Sequence, residues 1–231
     1  MRTPVVEVPG KAMDKIRQLL TLEAPVKWLF TGDSITHGVY HTFGHRDYVQ
    51  IFDERVRSEL GRVHDVIIRT AVSGWRTGNI KNEIEWNILR FDPDVVSIMI
   101  GMNDAAEGVS SVDLFADNYR AILDTIAART QALVVLHTPN PTIPGADPER
   151  EPALPLVVER IRQIGSERRL PVIDHWAECR RAWEENPSRV YCWMGDAVHP
   201  GVYGHRAFAR LLMKELGIWD EASPCCCLNI P

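Results

Sequence analysis

The stretch VKWLFTGDS, residues 26–34, joins an apolar run to a short polar loop. Val26 to Phe30 form an apolar run of the kind found in a strand that is buried on both faces of a sheet. Residues 31–34, Thr-Gly-Asp-Ser, follow directly and have the composition of a loop. Strands of this kind are typical of parallel sheets, because helices cover both faces of such sheets. The stretch therefore predicts a buried parallel strand that ends in a polar loop.

Four further apolar runs have the same character, and helical patterns lie between them. The runs are Val63–Ile68, Val95–Ile100, Leu133–Leu136 and Pro171–Ile173. Apolar residues at helical spacing predict amphipathic helices over Tyr48–Leu60, Val112–Ile126, Val157–Ile164 and Phe208–Leu216, with a less regular pattern over Thr77–Leu89 and Gly217 as the stop of the last helix. Strands that alternate with helices predict an α/β fold, with right-handed crossovers and a parallel sheet of about five strands.

Composition and charge exclude several classes of protein. The 231 residues include 26 Lys plus Arg and 31 Asp plus Glu, for a net charge of −5. Disordered, collagen-like and coiled-coil chains deviate strongly from this composition, and nucleic-acid binding needs a basic stripe that is missing here. No apolar run reaches the roughly 18 residues of a membrane span, and the first residues lack the apolar core of a signal peptide. We therefore expect a cytoplasmic protein without nucleic-acid or membrane partners.

The cysteines are five in number, and three of them are adjacent, at 225–227. An odd count of this kind fits no ordinary disulfide framework. The position near the end of the chain predicts a frayed tail with exposed thiols. Metal capture and thioacylation remain the alternatives for Cys225, Cys226 and Cys227.

Polar loops follow the first three strands, and each loop contains residues that can carry chemistry. They are Thr31–Ser34, Ala71–Gly74 and Gly101–Asp104. In a parallel sheet, sites form where the carboxyl ends of the strands run into loops. The Pro-rich segment from Pro139 to Pro155 is predicted to be a long loop on the same rim.

A possible base for a serine nucleophile stands near the other end of the chain, in Asp196-Ala197-Val198-His199. The three-residue offset lets the carboxylate bind one ring nitrogen while the other nitrogen faces outward, as a general base requires. Acyl transfer also needs donors for the developing oxyanion. The candidates are the backbone N–H of Ser34, that of Gly74 and the side chain of Asn103.

These four segments together resemble the SGNH, or GDSL, hydrolases over about 26–217. The resemblance implies a flavodoxin-like three-layer α/β/α sandwich. It also implies that Ser34 is the nucleophile, His199 the base and Asp196 its orienting carboxylate, with an oxyanion hole at Ser34, Gly74 and Asn103. We expect a single domain over 1–231, with an N-terminal extension over 1–25 and the cysteine-containing tail over 220–231.

Other motifs do not support a competing site. His37, His41 and His45 recur every four residues, but Gly38 and Gly44 interrupt the pattern, so a polar pocket wall is expected there and no metal site. Dinucleotide and P-loop motifs do not occur, and the α/β-hydrolase motif G-x-S-x-G fails because residue 36 is Thr. We predict neither a metal nor an organic cofactor.

We expect a serine esterase that hydrolyses short-chain esters and prefers acetyl esters. Carbohydrate is a candidate for the molecule that carries the acetyl group. The chain leaves little length for a lid, which favours a small, open site. Asp33, Trp75 and Trp193 are candidates for substrate contact. An acyltransferase with a sugar or alcohol acceptor, a thioesterase and a lysophospholipase remain alternatives. A carbohydrate-binding module without activity is disfavoured because Ser34, Asn103 and His199 are all present. No oligomeric state is predicted.

Overall fold

The computed structural model describes residues 9–38 and 40–231. Within these residues, five parallel strands form one sheet in the order β2-β1-β3-β4-β5. The strands are β1 Lys27–Gly32, β2 Val66–Arg69, β3 Val95–Met99, β4 Leu133–His137 and β5 Val172–Ile173. This strand order is that of flavodoxin-like folds, in which sites form at the carboxyl ends of the strands. The predicted α/β class is confirmed.

Helices flank the sheet and make it the middle layer of a three-layer sandwich. They are α1 Pro9–Leu19, α2 Ser34–His37, α3 Tyr48–Asp53, α4 Thr77–Asn82, α5 Ile84–Asn87, α6 Met102–Ala105, α7 Val112–Arg129, α8 Leu154–Arg168, α9 His175–Glu185, α10 Pro187–Trp193 and α11 Val202–Glu215. A π-helical segment, Glu54–Glu59, continues α3. Helices α4, α7 and α8 form one contacting group, and α3, α9, α10 and α11 form the other.

Two predicted elements differ from the structure in an informative way. Strand β2 begins three residues later than predicted, and the side chains of Val63 and Val66 are 59% and 48% exposed. The expectation of burial on both faces is wrong for this strand because β2 lies at the edge of the sheet, where it pairs with β1. The irregular pattern over Thr77–Leu89 corresponds to two short helices, α4 and α5, that meet at Glu83.

The first strand is fixed by packing on both of its faces. Trp28 and Phe30 contact Phe52 of α3 with ring centroids 5.2 Å apart in each pair, and Leu29 between them is fully buried. The indole N–H of Trp28 donates to the buried carboxylate of Asp65 at 3.0 Å. Because successive side chains of a strand point to opposite faces, this packing fixes the position of the loop that follows.

The C-terminal segment packs onto the domain, so the prediction of a frayed tail is wrong for most of it. Cys225 and Cys226 are 3% and 2% exposed, and Cys227 is exposed. Glu59 anchors the segment by accepting the Cys225 N–H at 3.0 Å and the hydroxyl of Ser223. Burial opposes ionisation of Glu59, but these donors and an arginine lower its pKa to about 2.

No helix in the described part of the chain combines the length and apolar character needed to cross a bilayer.

Candidate active site

The carboxyl end of β1 positions the serine of the first polar loop. Gly32 has φ of +149°, and a Cβ at this position would collide with the carbonyl oxygen of Met99 on β3. The chain then turns into α2, where the side chain of Asp33 caps the helix by accepting the N–H of Ile35 at 3.0 Å. Ser34 is therefore the first residue of a helix at the carboxyl edge of the sheet.

Ser34, His199 and Asp196 form a continuous hydrogen-bonded chain. The Oγ of Ser34 is 2.8 Å from Nε2 of His199, and Nδ1 of His199 is 2.9 Å from Oδ2 of Asp196. With the ring proton on Nδ1, that nitrogen donates to the carboxylate and Nε2 accepts from the serine hydroxyl. This is the arrangement that a serine nucleophile and its general base require.

The loop that carries Asp196 and His199 is held by a hydrogen bond within the loop and by hydrogen bonds from a second segment. Gly195 N–H donates to the carbonyl of His199 at 2.8 Å. The Pro139–Pro155 segment supports the loop from the β4 side: Asn140 donates to the carbonyl of Val198, and Ile143 N–H donates to that of Ala197, both at 2.9 Å. In these contacts the Pro-rich segment acts as a support for the histidine loop.

The pKa values of His199 and Asp196 are both shifted below their ordinary values, which favours a neutral ring and a charged carboxylate. Burial lowers the pKa of His199 below its usual value, although the charge of Asp196 opposes the shift. Burial would raise the pKa of Asp196, but hydrogen bonds from the backbone N–H groups of His199 and Val198 hold it below its ordinary value. A neutral imidazole can accept the serine proton, so these shifts suit His199 to the role of base.

Asp33 lies beneath the site and does not reach the surface. Its side chain is fully buried, and Oδ2 makes no hydrogen bond within the described residues. Burial, together with the nearby carboxylate of Asp104, raises the pKa of Asp33 to about 7. The expected substrate contact at Asp33 is therefore wrong, because the carboxylate is used to cap α2.

The candidate oxyanion donors lie in the segments that follow β1, β2 and β3, and these segments are bridged to one another. Asn103 donates one side-chain N–H to the carbonyl of Trp75 at 3.1 Å, which joins the loop after β3 to the loop after β2. Ser73 Oγ is 2.9 Å from Nδ1 of His37 in α2, which joins the loop after β2 to the helix of Ser34. Gly74 has φ of +82°, and no atom beyond its chain neighbours lies within 4 Å of where its Cβ would be. Its backbone is thus open to a ligand from that side.

The two tryptophans proposed for substrate contact have different environments. Trp75 is half-buried and packs on Trp86 with ring centroids 6.0 Å apart. Trp193 is only 4% exposed and belongs to the hydrophobic core, while its carbonyl accepts the N–H of Gly201 at 2.7 Å. The structure therefore removes Trp193 from the set of substrate contacts and leaves Trp75.

The three histidines of the 37–45 stretch do not form one cluster. His37 binds Ser73, and His45 is exposed. His41 stacks on the ring of His199, with centroids 3.4 Å apart and planes 6° apart, and its Nδ1 is 3.3 Å from Oδ2 of Asp196. Sequence reasoning missed this contact because no local pattern links residue 41 to residue 199.

Comparison with known families gives a match over most of the chain. The sequence profile of the GDSL-like lipase/acylhydrolase family matches residues 30–207. This range contains all the residues of the hydrogen-bonded chain and all the candidate oxyanion donors.

Two proteins of similar sequence differ in how much of them the chain covers. An uncharacterized protein of Mycoplasma pneumoniae is 36% identical over 117 residues, which are 47% of this chain and 13% of that protein. An acetylxylan esterase of Geobacillus stearothermophilus is 29% identical over 212 residues, which are 83% of this chain and 94% of that protein. The chain thus spans a small part of the first relative and nearly all of the second.

Solved structures share the fold at lower identity. A crystal structure of a candidate GDSL-like lipase from Parabacteroides merdae has a TM-score of 0.73 at 24% identity, covering 85% of this chain and 98% of that one. A catalytic mutant of an acetylxylan esterase from Geobacillus stearothermophilus has a TM-score of 0.69 at 22% identity, covering 85% and 97%. With the profile match over more than half of its length, the chain belongs to the GDSL-like lipase/acylhydrolase family of serine ester hydrolases.

Proposed function

We propose that the protein is an esterase that hydrolyses short-chain carboxylic esters, acetyl esters first, through an acyl-enzyme on Ser34. The hydrogen-bonded chain from Ser34 through His199 to Asp196, with heavy-atom distances of 2.8 and 2.9 Å, is the observation that carries the proposal. This spacing supports the proposal because it lets Nε2 of His199 accept the serine proton while Nδ1 donates to Asp196, as the first chemical step requires.

In the acylation step, Nε2 of His199 takes the proton of Ser34 while Oγ attacks the ester carbonyl. The tetrahedral intermediate collapses, its bond to the alkoxy oxygen breaks, and His199 returns the proton to the departing alcohol. Water then attacks the acyl-enzyme, again giving its proton to His199, and the carboxylic acid leaves as Ser34 regains its hydrogen. Asp196 stabilises the imidazolium that forms in each half-reaction.

The oxyanion of each intermediate is assigned to three donors: the backbone N–H of Ser34, the backbone N–H of Gly74 and the second side-chain N–H of Asn103. The bridges between their loops support this assignment, since preorganised donors need no rearrangement at the moment of reaction. A ligand can approach Gly74 on the side where other residues carry a Cβ, because no residue beyond its chain neighbours has an atom within 4 Å of that point.

Acetylated carbohydrate is the substrate class that we propose first. A relative that matches over most of both chains is an acetylxylan esterase. Trp75, whose backbone carbonyl accepts a hydrogen bond from Asn103, has a half-buried aromatic side chain on which a sugar ring can stack. A small-molecule ester is then the only partner that the reaction needs. The cytoplasmic location inferred from the sequence is retained as part of this proposal.

The test compares p-nitrophenyl esters of increasing chain length, a thioester and acetylated xylo-oligosaccharides with the wild-type protein and the variant Ser34→Ala. Acetyl esters should be hydrolysed fastest, and the variant should lose activity on all substrates while its circular dichroism spectrum stays unchanged. Ser110→Ala, which changes an exposed serine, is the matched control and should keep full activity. A Ser34→Ala protein that keeps most of its activity would refute the nucleophile, and a preference for long acyl chains would refute the substrate class.

A further inference from the structure

His41 shares the carboxylate of Asp196 with the base of the proposed reaction. Both rings present Nδ1 to the same oxygen, Oδ2, at 3.3 Å from His41 and 2.9 Å from His199. The rings lie almost parallel, with centroids 3.4 Å apart. Catalysis needs one histidine on this carboxylate, so the second one requires its own explanation.

The three ligand atoms are spaced like the ligands of a transition-metal ion. One atom from each of His41, Asp196 and His199 can be chosen so that all lie within 4.8 Å of one another. Tetrahedral zinc holds nitrogen and oxygen ligands at about 2.0–2.2 Å, which places neighbouring ligand atoms about 3.3–3.5 Å apart. The observed nitrogen-to-oxygen distances of 2.9 and 3.3 Å are close to this spacing. Because the two rings are stacked with planes 6° apart, they must tilt apart for both Nδ1 lone pairs to point at one ion.

The burial of the cluster also suits a metal ion. The side chains of His41 and His199 are 22% and 18% exposed, so their rings are held on one side by the protein. The side chain of Asp196 is 46% exposed, which leaves the carboxylate open to solvent. Two histidines and a carboxylate with one open position form a donor set that zinc accepts, and water can fill the fourth place.

We propose that His41, Asp196 and His199 form an inhibitory site for a divalent transition-metal ion such as Zn²⁺. The proposed metal binding does not depend on the proposed esterase function. Only the inhibitory effect of the metal rests on that function. The proposal concerns regulation of the site by a metal and assigns the metal no part in ester hydrolysis.

Inhibition follows from the tautomer of His199. A metal bound to Nδ1 takes the lone pair of that nitrogen, so the ring proton moves to Nε2 and the hydrogen bond from Nδ1 to Asp196 is lost. Nε2 then carries a proton and donates to Ser34, and it can no longer accept the serine proton. The metal also takes up the negative charge of Asp196 that would stabilise the imidazolium. Removal of the metal restores both functions.

Calorimetric titration with zinc chloride tests the binding. The parent protein carries Cys192→Ser and Cys227→Ser, because these exposed thiols are zinc ligands in their own right. We expect one zinc ion per chain with micromolar affinity. His41→Gln and His41→Phe should each weaken zinc binding at least about 10-fold. Loss of a residue that only supports a metal ligand already costs about this much, and His41 is proposed as a direct ligand. The phenylalanine keeps a ring to stack on His199 but has no nitrogen.

Two control variants test whether zinc binding depends on His41 itself and whether it depends on the proposed nucleophile. His45→Gln changes an exposed histidine of the same segment and should bind zinc like the parent. Ser34→Ala lacks the proposed nucleophile but none of the metal ligands, so it should also bind zinc like the parent. If no protein hydrolyses esters but the calorimetric pattern holds, the proposed function fails and the metal site stands.

Activity provides the second measurement. Micromolar zinc should inhibit the parent and His45→Gln, EDTA should restore activity, and both His41 variants should resist inhibition. The proposal is refuted if the parent binds no zinc, or if the His41 variants bind it and are inhibited as strongly as the parent.

Discussion

The carboxylate of Asp196 accepts hydrogen bonds from both the backbone and the ring of His199. The backbone N–H of His199 lies 2.7 Å from Oδ1, and the ring Nδ1 lies 2.9 Å from Oδ2. The N–H of Val198 also donates to Oδ1, at 2.8 Å. The acid is thus held by the same loop that carries the base, and its orientation in turn fixes the tautomer of the ring.

Asp196→Asn should lower kcat about 100- to 10,000-fold. The amide oxygen can still accept the two backbone N–H groups, but the NH₂ group would donate to Nδ1 of His199 and move the ring proton to Nε2. Steady-state kinetics with p-nitrophenyl acetate measure the loss. Asp53→Asn removes a carboxylate that pairs with Arg57 on the surface and should have no effect. A decrease of only a few-fold for Asp196→Asn would contradict the tautomer argument.

Asn103→Ala should lower kcat about 100- to 1,000-fold and leave KM nearly unchanged, because the lost N–H acts on the oxyanion and not on the ground-state carbonyl. Asn103 uses one N–H to bind the carbonyl of Trp75, so part of its role is to hold the two loops together. Asn82→Ala, at an exposed position of α4, serves as the control. If the change appears in KM alone, Asn103 binds substrate and is not an oxyanion donor.

Activity should rise with pH as His199 loses its proton, with a midpoint below the ordinary histidine value of about 6.5. The sign follows from burial, which lowers the pKa of His199, so the neutral base persists to a lower pH than in a free histidine. In Asp196→Asn the midpoint should move further to acid pH, since the charge that raises the pKa of His199 is removed. A profile of kcat/KM against pH gives both midpoints, and a midpoint above the ordinary value for the wild type would be inconsistent with this account.

The thiols should fall into two classes in a reaction with Ellman's reagent. Cys192 and Cys227 are exposed and should react fast, whereas Cys179, Cys225 and Cys226 are buried and should react slowly. Burial and the neighbouring Glu59 raise the pKa of Cys225 to about 12, which further suppresses its thiolate.

Glu59→Ala should release the C-terminal segment and move Cys225 and Cys226 into the fast class, because the carboxylate is the acceptor for Cys225 N–H and for the hydroxyl of Ser223. Cys179 lies on α9 and should stay slow, which shows that the domain remains folded. Glu54→Ala, which removes a surface ion pair with Arg46, is the control. An unchanged count of fast thiols in Glu59→Ala would show that the segment is held by its apolar contacts alone.

The first strand illustrates how far local sequence predicts this fold. The apolar run at Val26–Phe30 corresponds to β1 at Lys27–Gly32. A central strand that is buried on both faces carries apolar side chains on both sides, so its sequence is a continuous apolar run. The same reasoning was wrong for the burial of β2. A short apolar run does not reveal which strand lies at the edge, since strand order depends on all the crossovers together.

In the proposed site, too, some features could be predicted from the sequence and others could not. Ser34, Asn103 and His199 could be named from the sequence because each follows a strand or precedes a helix in a recognisable motif. The burial of the Asp33 and Trp193 side chains could not be predicted, because burial at the end of a helix depends on what packs over it. The tail at Cys225 was misjudged for the same reason, as its partner Glu59 lies 166 residues away in the chain.

The sequence by itself determined the fold class, the family and the residue types available for ester hydrolysis, because these depend on periodicity and on short motifs at strand ends. Only the tertiary structure decided which residues meet. It brings Ser34 to 2.8 Å from His199 across 165 positions of the chain, and it stacks His41 on the same imidazole. Such contacts arise because separate segments of the chain pack at one edge of the sheet, and no local sequence pattern predicts them.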